Sequence, residues 1–426
     1  MPPIADHPLR YELANELHAR PFPKMAAPCT AIFLAIKQPE EAVSRDRSKD
    51  TEHLIELLDR YGAPHPKPGA THYSGQIGRH ILKWEQHTEF VTYTAFVEGL
   101  SERPFDPADF DVFPDDWLSR APGQRMTSIS LRIESRPDQA EIDRALSNWF
   151  VPESLAVAEV LDGAAIAAGD FRIDTAGHQR FALFVAPETG ERRIRRIVRR
   201  LCEIETYKSM SMLGFSRARQ LSGKIGNLEA QVTQVMLAMN EDENGAEGTL
   251  TRLLSISAEL ETTATQSSFR FGATGAYEAI VNQRIEALRE TRYIGRQTFR
   301  EFMMRRYEPA MRTVKSTERR LSALADRAIR TGDLLRTKVD VARSAQNQAL
   351  LESMDRRAAL QLRLQHTVEG LSVVAISYYA VSLVANLLYP VAKQTGYSKA
   401  ALSAAVTLPV IGLVWWTLRR VRKRLT

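Results

Sequence analysis

Cysteine is nearly absent from this sequence, and its scarcity excludes two ways of stabilising a fold. Only Cys29 and Cys202 occur in 426 residues, and neither belongs to a CxxC pair. A disulfide framework needs more cysteines, and a structural zinc site needs closely spaced Cys and His ligands. A hydrophobic core must therefore hold the fold, and a hydrophobic content of 44% is sufficient for one.

The sequence also lacks the short motifs of the common enzyme classes. No GxSxG, P-loop, GxGxxG or HExxH pattern occurs, and so we expect no enzymatic activity. The net charge of +6 comes without a nucleic-acid-reading motif, and so no nucleic-acid partner is expected. The opening residues MPPIADHPLRYEL lack a basic segment followed by an apolar one. We therefore expect no signal peptide and a cytoplasmic N-terminal region.

Residues 1–190 mix strand and helix patterns and predict a cytoplasmic α/β or α+β domain. Apolar, β-branched or alternating runs at residues 30–36, 80–99 and 126–134 are typical of strands. Helical patterns cover residues 40–62 and 137–150. Two further strand patterns near residues 154–161 and 180–186 predict a sheet of five or more strands.

Helical patterns replace strand patterns from residue 191 onward. We predict a helical region over 191–309, interrupted at Gly214 and by a loop near 265–275, and one long stalk helix over 310–367. No proline lies between Pro309 and Pro390. A heptad rhythm of apolar or small residues favours a coiled-coil stalk shared between copies of the chain. Its positions are Leu321, Leu324, Ala328, Leu335, Val339, Ala342, Ala349, Leu360 and Leu364.

Residues 368–426, the apolar hairpin, predict two transmembrane helices. Uncharged runs at 370–388 and 400–418 each approach the roughly 20 residues that a span needs. Aromatic and basic residues flank them as at a membrane interface, and the basic tail is expected on the cytoplasmic side. The predicted interface residues are Tyr389, Tyr397, Trp415, Trp416, Arg419, Arg420, Arg422, Lys423 and Arg424.

One face of the first span is polar. Its members, here named the polar stripe, recur at helical spacing: Ser372, Ala375, Tyr379, Ser382 and Asn386. Polar groups in lipid are unfavourable unless they face protein or water. The polar stripe therefore predicts a pore lining in a ring of subunits, or alternatively a contact between packed helices.

One metal site is conceivable in the N-terminal domain. On a strand, Glu85, His87 and Glu89 would share one face, and such ligands suit a divalent metal ion. The alternative is a strand face with ordinary ion pairs.

Two resemblances follow from these features. The blocks ELHARPF, WEQHTEF and VEGLSVVAISYYAVSLV resemble those of an uncharacterised family of bacterial membrane-anchored proteins. The layout resembles that of CorA-type magnesium transporters, which implies a pentamer with the first span around a pore. Their Gly-Met-Asn signature is absent, and Asn386 stands in its place. Residues 370–426 contain no Asp or Glu.

The sequence thus predicts a homo-oligomeric protein of the bacterial inner membrane, pentameric by resemblance. Its expected function is ion transport through a pore lined by the first span, with a cation favoured over an anion. The alternative is a membrane-anchored scaffold or sensor that conducts nothing.

Two spans place both ends of the chain on the same side of the membrane. A thiol reagent that does not cross the membrane should leave Pro2→Cys and Thr426→Cys unlabelled in intact cells, whereas Gly396→Cys, between the spans, should react. Labelling of either end from outside would contradict this topology.

Overall fold

A computed structural model describes residues 4–16, 25–39, 44–241, 246–394 and 398–425. The chain divides into two compact units. The first unit comprises Met1–Asn240 and Thr251–Thr331, and the second comprises Glu241–Leu250 and Gly332–Thr426. The predicted division into four segments stays a prediction.

The first unit contains a mixed nine-stranded sheet, in the order β2-β3-β4-β1-β5-β8-β7-β6-β9. Its neighbouring strands are antiparallel except β5 and β8, which are parallel. The strands are β1 (Cys29–Lys37), β2 (His72–Ile77), β3 (His80–Gln86), β4 (Phe90–Glu98), β5 (Gln124–Ser135), β6 (Ala156–Val160), β7 (Ala165–Ile173), β8 (Gln179–Val185) and β9 (Thr291–Arg292). The predicted sheet is thus confirmed.

Four short helices and one 3-10 helix belong to the N-terminal part of this unit. They are α1 (Arg10–Glu16), α2 (Ser48–Arg60), the 3-10 helix Pro107–Val112, α3 (Asp115–Leu118) and α4 (Gln139–Trp149). Helix α2 begins later than predicted, at Ser48, and the chain turns after it at Gly62, whose φ of +60° suits glycine.

Two apolar clusters lie on one face of the sheet. In the first, Leu54 and Leu57 of α2 pack with Trp84, Tyr93 and the buried Trp117 of α3. In the second, Ile142 and Leu146 of α4 pack with Val157 and Phe184 of the neighbouring strands. Alternation of side chains along each strand sends these residues to one side and their neighbours to the other.

Two long helices, α5 (Glu191–Glu241) and α6 (Ala246–Leu288), meet the opposite face. The Gln179 amide of β8 donates to the Glu205 carboxylate of α5 over 2.6 Å. The predicted breaks within both helices are wrong. Helix α5 runs through Gly214 without a break. The missing side chain of Gly214 lets α6 approach, since a Cβ there would lie 2.1 Å from the Thr274 hydroxyl oxygen.

The remaining helices lead into the apolar hairpin. Helix α7 (Phe299–Arg306) is followed by α8 (Glu308–Gln394), 87 residues long, and α9 (Lys399–Leu425). Pro390 and Pro409 lie inside α8 and α9. Along α8 the heptad residues Leu321, Leu324 and Leu335 are buried, whereas every residue from 343 to 368 is exposed. The long predicted helix is confirmed, while its association with copies stays a prediction.

Neighbouring leucines of α8 provide a matched test of this burial. Leu335 is 0% exposed and Leu334 is 60% exposed. Leu335→Ala should lower the free energy of unfolding by about 2–5 kcal/mol because it leaves a cavity. Leu334→Ala should change it by less than about 0.5 kcal/mol. Denaturation of both variants in detergent measures the difference, and equal effects would contradict the burial of Leu335.

Candidate functional site

Within the described ranges, two helices are long and apolar enough to cross a membrane. Their most apolar stretches have mean hydropathies of 1.9 in α8 and 1.8 in α9, and only 11% and 6% of those stretches are buried. A core helix of a soluble protein would be largely covered by other elements. The low burial indicates membrane association of the hairpin.

Aromatic and basic side chains pair at the ends of these helices. The Arg419 guanidinium lies 4.9 Å from the centre of the Trp415 ring, and that of Arg420 lies 5.1 Å from Trp416. At the other end, the Lys399 ammonium lies 5.8 Å from the Tyr389 ring. A cation paired with an aromatic ring is typical of the boundary between lipid and water, because the ring can contact lipid while the charged group reaches water.

The remaining predicted interface residues have no described side chains. Tyr397 lies outside the described residues, as do the side chains of Arg422, Lys423 and Arg424.

The polar stripe faces away from the second span. All five of its members are exposed, including Tyr379 at 67%. Among the hairpin residues whose side chains are described, Ser377, Ala385 and Val414 are buried. Ser377 is two residues from Tyr379, and a two-residue step in an α-helix turns the side chain by about 200°. The polar stripe therefore does not serve as a contact between the two spans of one chain.

Polar groups elsewhere in the hairpin differ in how they are satisfied. In α9, Thr407 and Thr417 donate to the main-chain oxygens of Ser403 and Leu413, at 2.6 and 2.9 Å. In α8, the buried Ser377 hydroxyl has no hydrogen-bond partner among the described residues. Intrahelical bonds let hydroxyls reside in lipid at little cost, whereas the Asn386 amide of the polar stripe carries two N–H donors and one oxygen acceptor to be satisfied.

The predicted metal trio does not form. Strand β3 ends at Gln86, so His87 and Glu89 lie in the turn to β4, where side chains no longer alternate. The Glu85 carboxylate pairs with the Lys83 ammonium at 2.5 Å, and the His87 ring stacks on Phe90. Within the described ranges no group of three or more metal-ligating side chains occurs. The ion-pair alternative accounts for the two carboxylates.

Glu89 instead joins the sheet to α6. Its carboxylate is 2% exposed and accepts from the Arg270 guanidinium at 2.5 Å and from the Tyr277 hydroxyl at 2.8 Å. Burial, followed by the hydrogen bond to Glu89, raises the pKa of Tyr277, so this phenol stays protonated. Glu89 and Arg270 are 181 positions apart in the chain, so the sequence carries no local signal of this pair.

A second arginine fixes the turn that carries Glu89. Arg45 donates to the main-chain oxygens of His87, Thr88 and Phe90 at 2.8, 2.9 and 3.2 Å. It also pairs with Asp50 at 2.6 Å, and both side chains are at most 2% exposed.

Nearby, burial and then Arg270 lower the pKa of Lys37. The charged groups around Glu89 are thus paired with each other inside the protein: Glu89 with Arg270, and Arg45 with Asp50. This arrangement is a structural joint rather than an open ligand site.

Comparison with known proteins gives one finding. A family model described as "Protein of unknown function (DUF3422)" matches residues 5–425. The resemblance to an uncharacterised family is thereby confirmed. No curated protein matches the chain.

Breaking the Glu89 contact should be far costlier than breaking a surface pair. Glu89→Gln leaves the charge of Arg270, whose side chain is 16% exposed, uncompensated and should lower the free energy of unfolding by about 3–5 kcal/mol. The matched control is Glu229→Gln, which removes a pair with Arg320 whose side chains are 32% and 45% exposed. Its loss should amount to at most about 1 kcal/mol. Denaturation of the full-length variants compares them, and similar losses would contradict a joint at Glu89.

Proposed function

Since the chain belongs to the DUF3422 family, whose description carries no activity, we propose a function from the geometry: a homo-oligomeric ion pathway in the bacterial inner membrane. The first span of each copy surrounds the path, and the polar stripe lines it. The sheet-containing unit and both ends of the chain lie in the cytoplasm. The layout is then CorA-like, with five copies as the expected number.

The orientation of the polar stripe carries this proposal. Its side chains are exposed on the face opposite to that which buries Ser377. In a lone hairpin the Asn386 amide and the Tyr379 hydroxyl would face lipid, which offers them no hydrogen bonds. Two helices cannot enclose a path, whereas a ring of copies turns the stripes towards each other and towards water.

The exposed residues of α8 before the polar stripe support association of copies along the same helix face. Exposed apolar residues Leu350, Met354, Leu364 and Val368 precede the polar stripe, and helical steps of three or four residues connect them through Arg357 and Gln361. Such steps keep side chains on one face of a helix. This exposed face, which shares Leu364 with the predicted heptad positions, thus continues into the face that would line the path.

The chemistry of the polar stripe favours a cation. Hydroxyl and amide oxygens replace part of an ion's water shell, as in channels lined by neutral oxygens. Residues 370–426 supply no carboxylate, so selectivity should be modest and divalent ions should not be concentrated at the mouth. The basic residues after the second span support a cytoplasmic tail.

Flux through proteoliposomes tests the proposal. Asn386→Leu makes the outermost polar layer apolar and should reduce cation flux at least about tenfold, because narrow apolar constrictions lose their water. Ser382→Ala, in the polar stripe, should change flux or selectivity, whereas Ser377→Ala, the same change on the covered face, should not.

Cross-linking separates assembly from conduction. In native membranes Ser382→Cys should yield cross-links between copies with a short bifunctional thiol reagent, and Ser377→Cys should not. Cross-links at Ser382 without flux of any ion in the unmodified protein would favour the membrane-anchored scaffold. Absence of cross-links together with a monomer in mild detergent would overturn the oligomer itself.

A further inference from the structure

A small cavity lies at the edge of the sheet in the first unit, away from the joint at Glu89. It has a volume of about 260 Å³ and is lined by the first turn of α4, by β6, and by β9 with the residues after it. Its polar lining consists of Arg136, Gln139, Glu159, Arg292 and Tyr293. Four of these five side chains carry N–H or O–H donors, and only Glu159 is purely an acceptor.

Two arginines supply positive charge to this cavity. The Arg136 guanidinium donates to Glu159 at 2.9 Å, and their side chains are 31% and 30% exposed. Arg292 is 57% exposed and pairs with Glu301 outside the cavity. Each guanidinium has five N–H donors in a fixed fork, so one carboxylate partner leaves several donors for a further acceptor.

Tyr293 is the unusual member of the lining. It is 5% exposed and packs on the second apolar cluster, yet its hydroxyl has no hydrogen-bond partner within the described part of the chain. Buried hydroxyls nearly always have a partner, because leaving one unpaired is unfavourable. Since Tyr293 lines the cavity, a ligand bound there would supply the missing acceptor.

The first turn of α4 adds the positive end of a helix. Asp138 caps this 11-residue helix by accepting from the main-chain N–H of Glu141 at 2.9 Å. The N–H groups of Gln139 and Ala140 precede the first intrahelical hydrogen bonds of the helix. Such groups, with the helix dipole behind them, bind anions.

We propose that this cavity binds a small oxyanion: a phosphate group or a carboxylate. The Tyr293 hydroxyl and the two guanidiniums donate to it, while the start of α4 contributes its dipole. Glu159 orients Arg136 and leaves a net positive charge among the lining groups. The volume lies below the roughly 300–1,000 Å³ of pockets for larger ligands, which favours a single anionic group. The site is independent of the proposed ion pathway.

Calorimetric titration of the full-length protein in detergent, at constant ionic strength, tests this site. Inorganic phosphate and acetate are the probes, and they distinguish a phosphate site from a carboxylate site. Saturable binding of one of them is expected at millimolar or lower concentration. Arg292→Ala should weaken it about tenfold or more, because it removes a charged donor. Arg289→Ala is the matched control: this arginine is equally exposed, at 57%, and pairs with Asp162.

Tyr293→Phe distinguishes a ligand donor from a merely structural side chain. Because the hydroxyl bonds to no described residue and an unpaired buried hydroxyl is unfavourable, its removal should leave the melting temperature of the ligand-free protein unchanged or raise it. Anion binding should weaken about tenfold or more, because the lost hydrogen bond is to a charged acceptor. Absence of saturable binding by the unmodified protein, or equal affinities of Arg292→Ala and Arg289→Ala, would overturn the proposal.

Discussion

A carboxylate buried between a sheet and a helix is tolerated only when its charge is met, and Glu89 is such a group. Arg270 and Tyr277 of α6 meet it from one side, while Arg45 holds the turn that presents it from the other. Because a partly satisfied buried network is worse than none, this joint fixes the position of α6 on the sheet. Any other placement of α6 would leave the buried Glu89 carboxylate without the Arg270 guanidinium.

The two faces of the sheet are thus used differently. One face is sealed by apolar contacts with α2 and α4, which tolerate small shifts because packing is not directional. The other face meets α5 and α6 partly through directional polar bonds, including Gln179 to Glu205. Directional bonds specify one arrangement, and this specificity suits the face from which the long helices extend.

Periodic patterns made the sheet, the long helix and the apolar hairpin predictable, since alternation and long uncharged runs are local properties of the sequence. Three features depended on distant partners and were not predictable. The sequence pattern predicts a helix end at Gly214, but its small size permits close packing against Thr274. The sequence pattern predicts Glu89 as a metal ligand, but its carboxylate forms an ion pair with Arg270. The direction of the polar stripe became visible only when Ser377 was found covered.

The exposed middle of α8 affects how much of the chain is folded. Residues 343–368 extend for about 40 Å as a single exposed helix. Isolated helices are marginally stable in water, because most helical stability comes from neighbours. In the proposed ring of copies, the order of this segment and the association of the copies would form one linked equilibrium. Dilution would then let its amides exchange with solvent while the sheet remains protected, so the abundance of the protein in a membrane would set how much of each chain is folded.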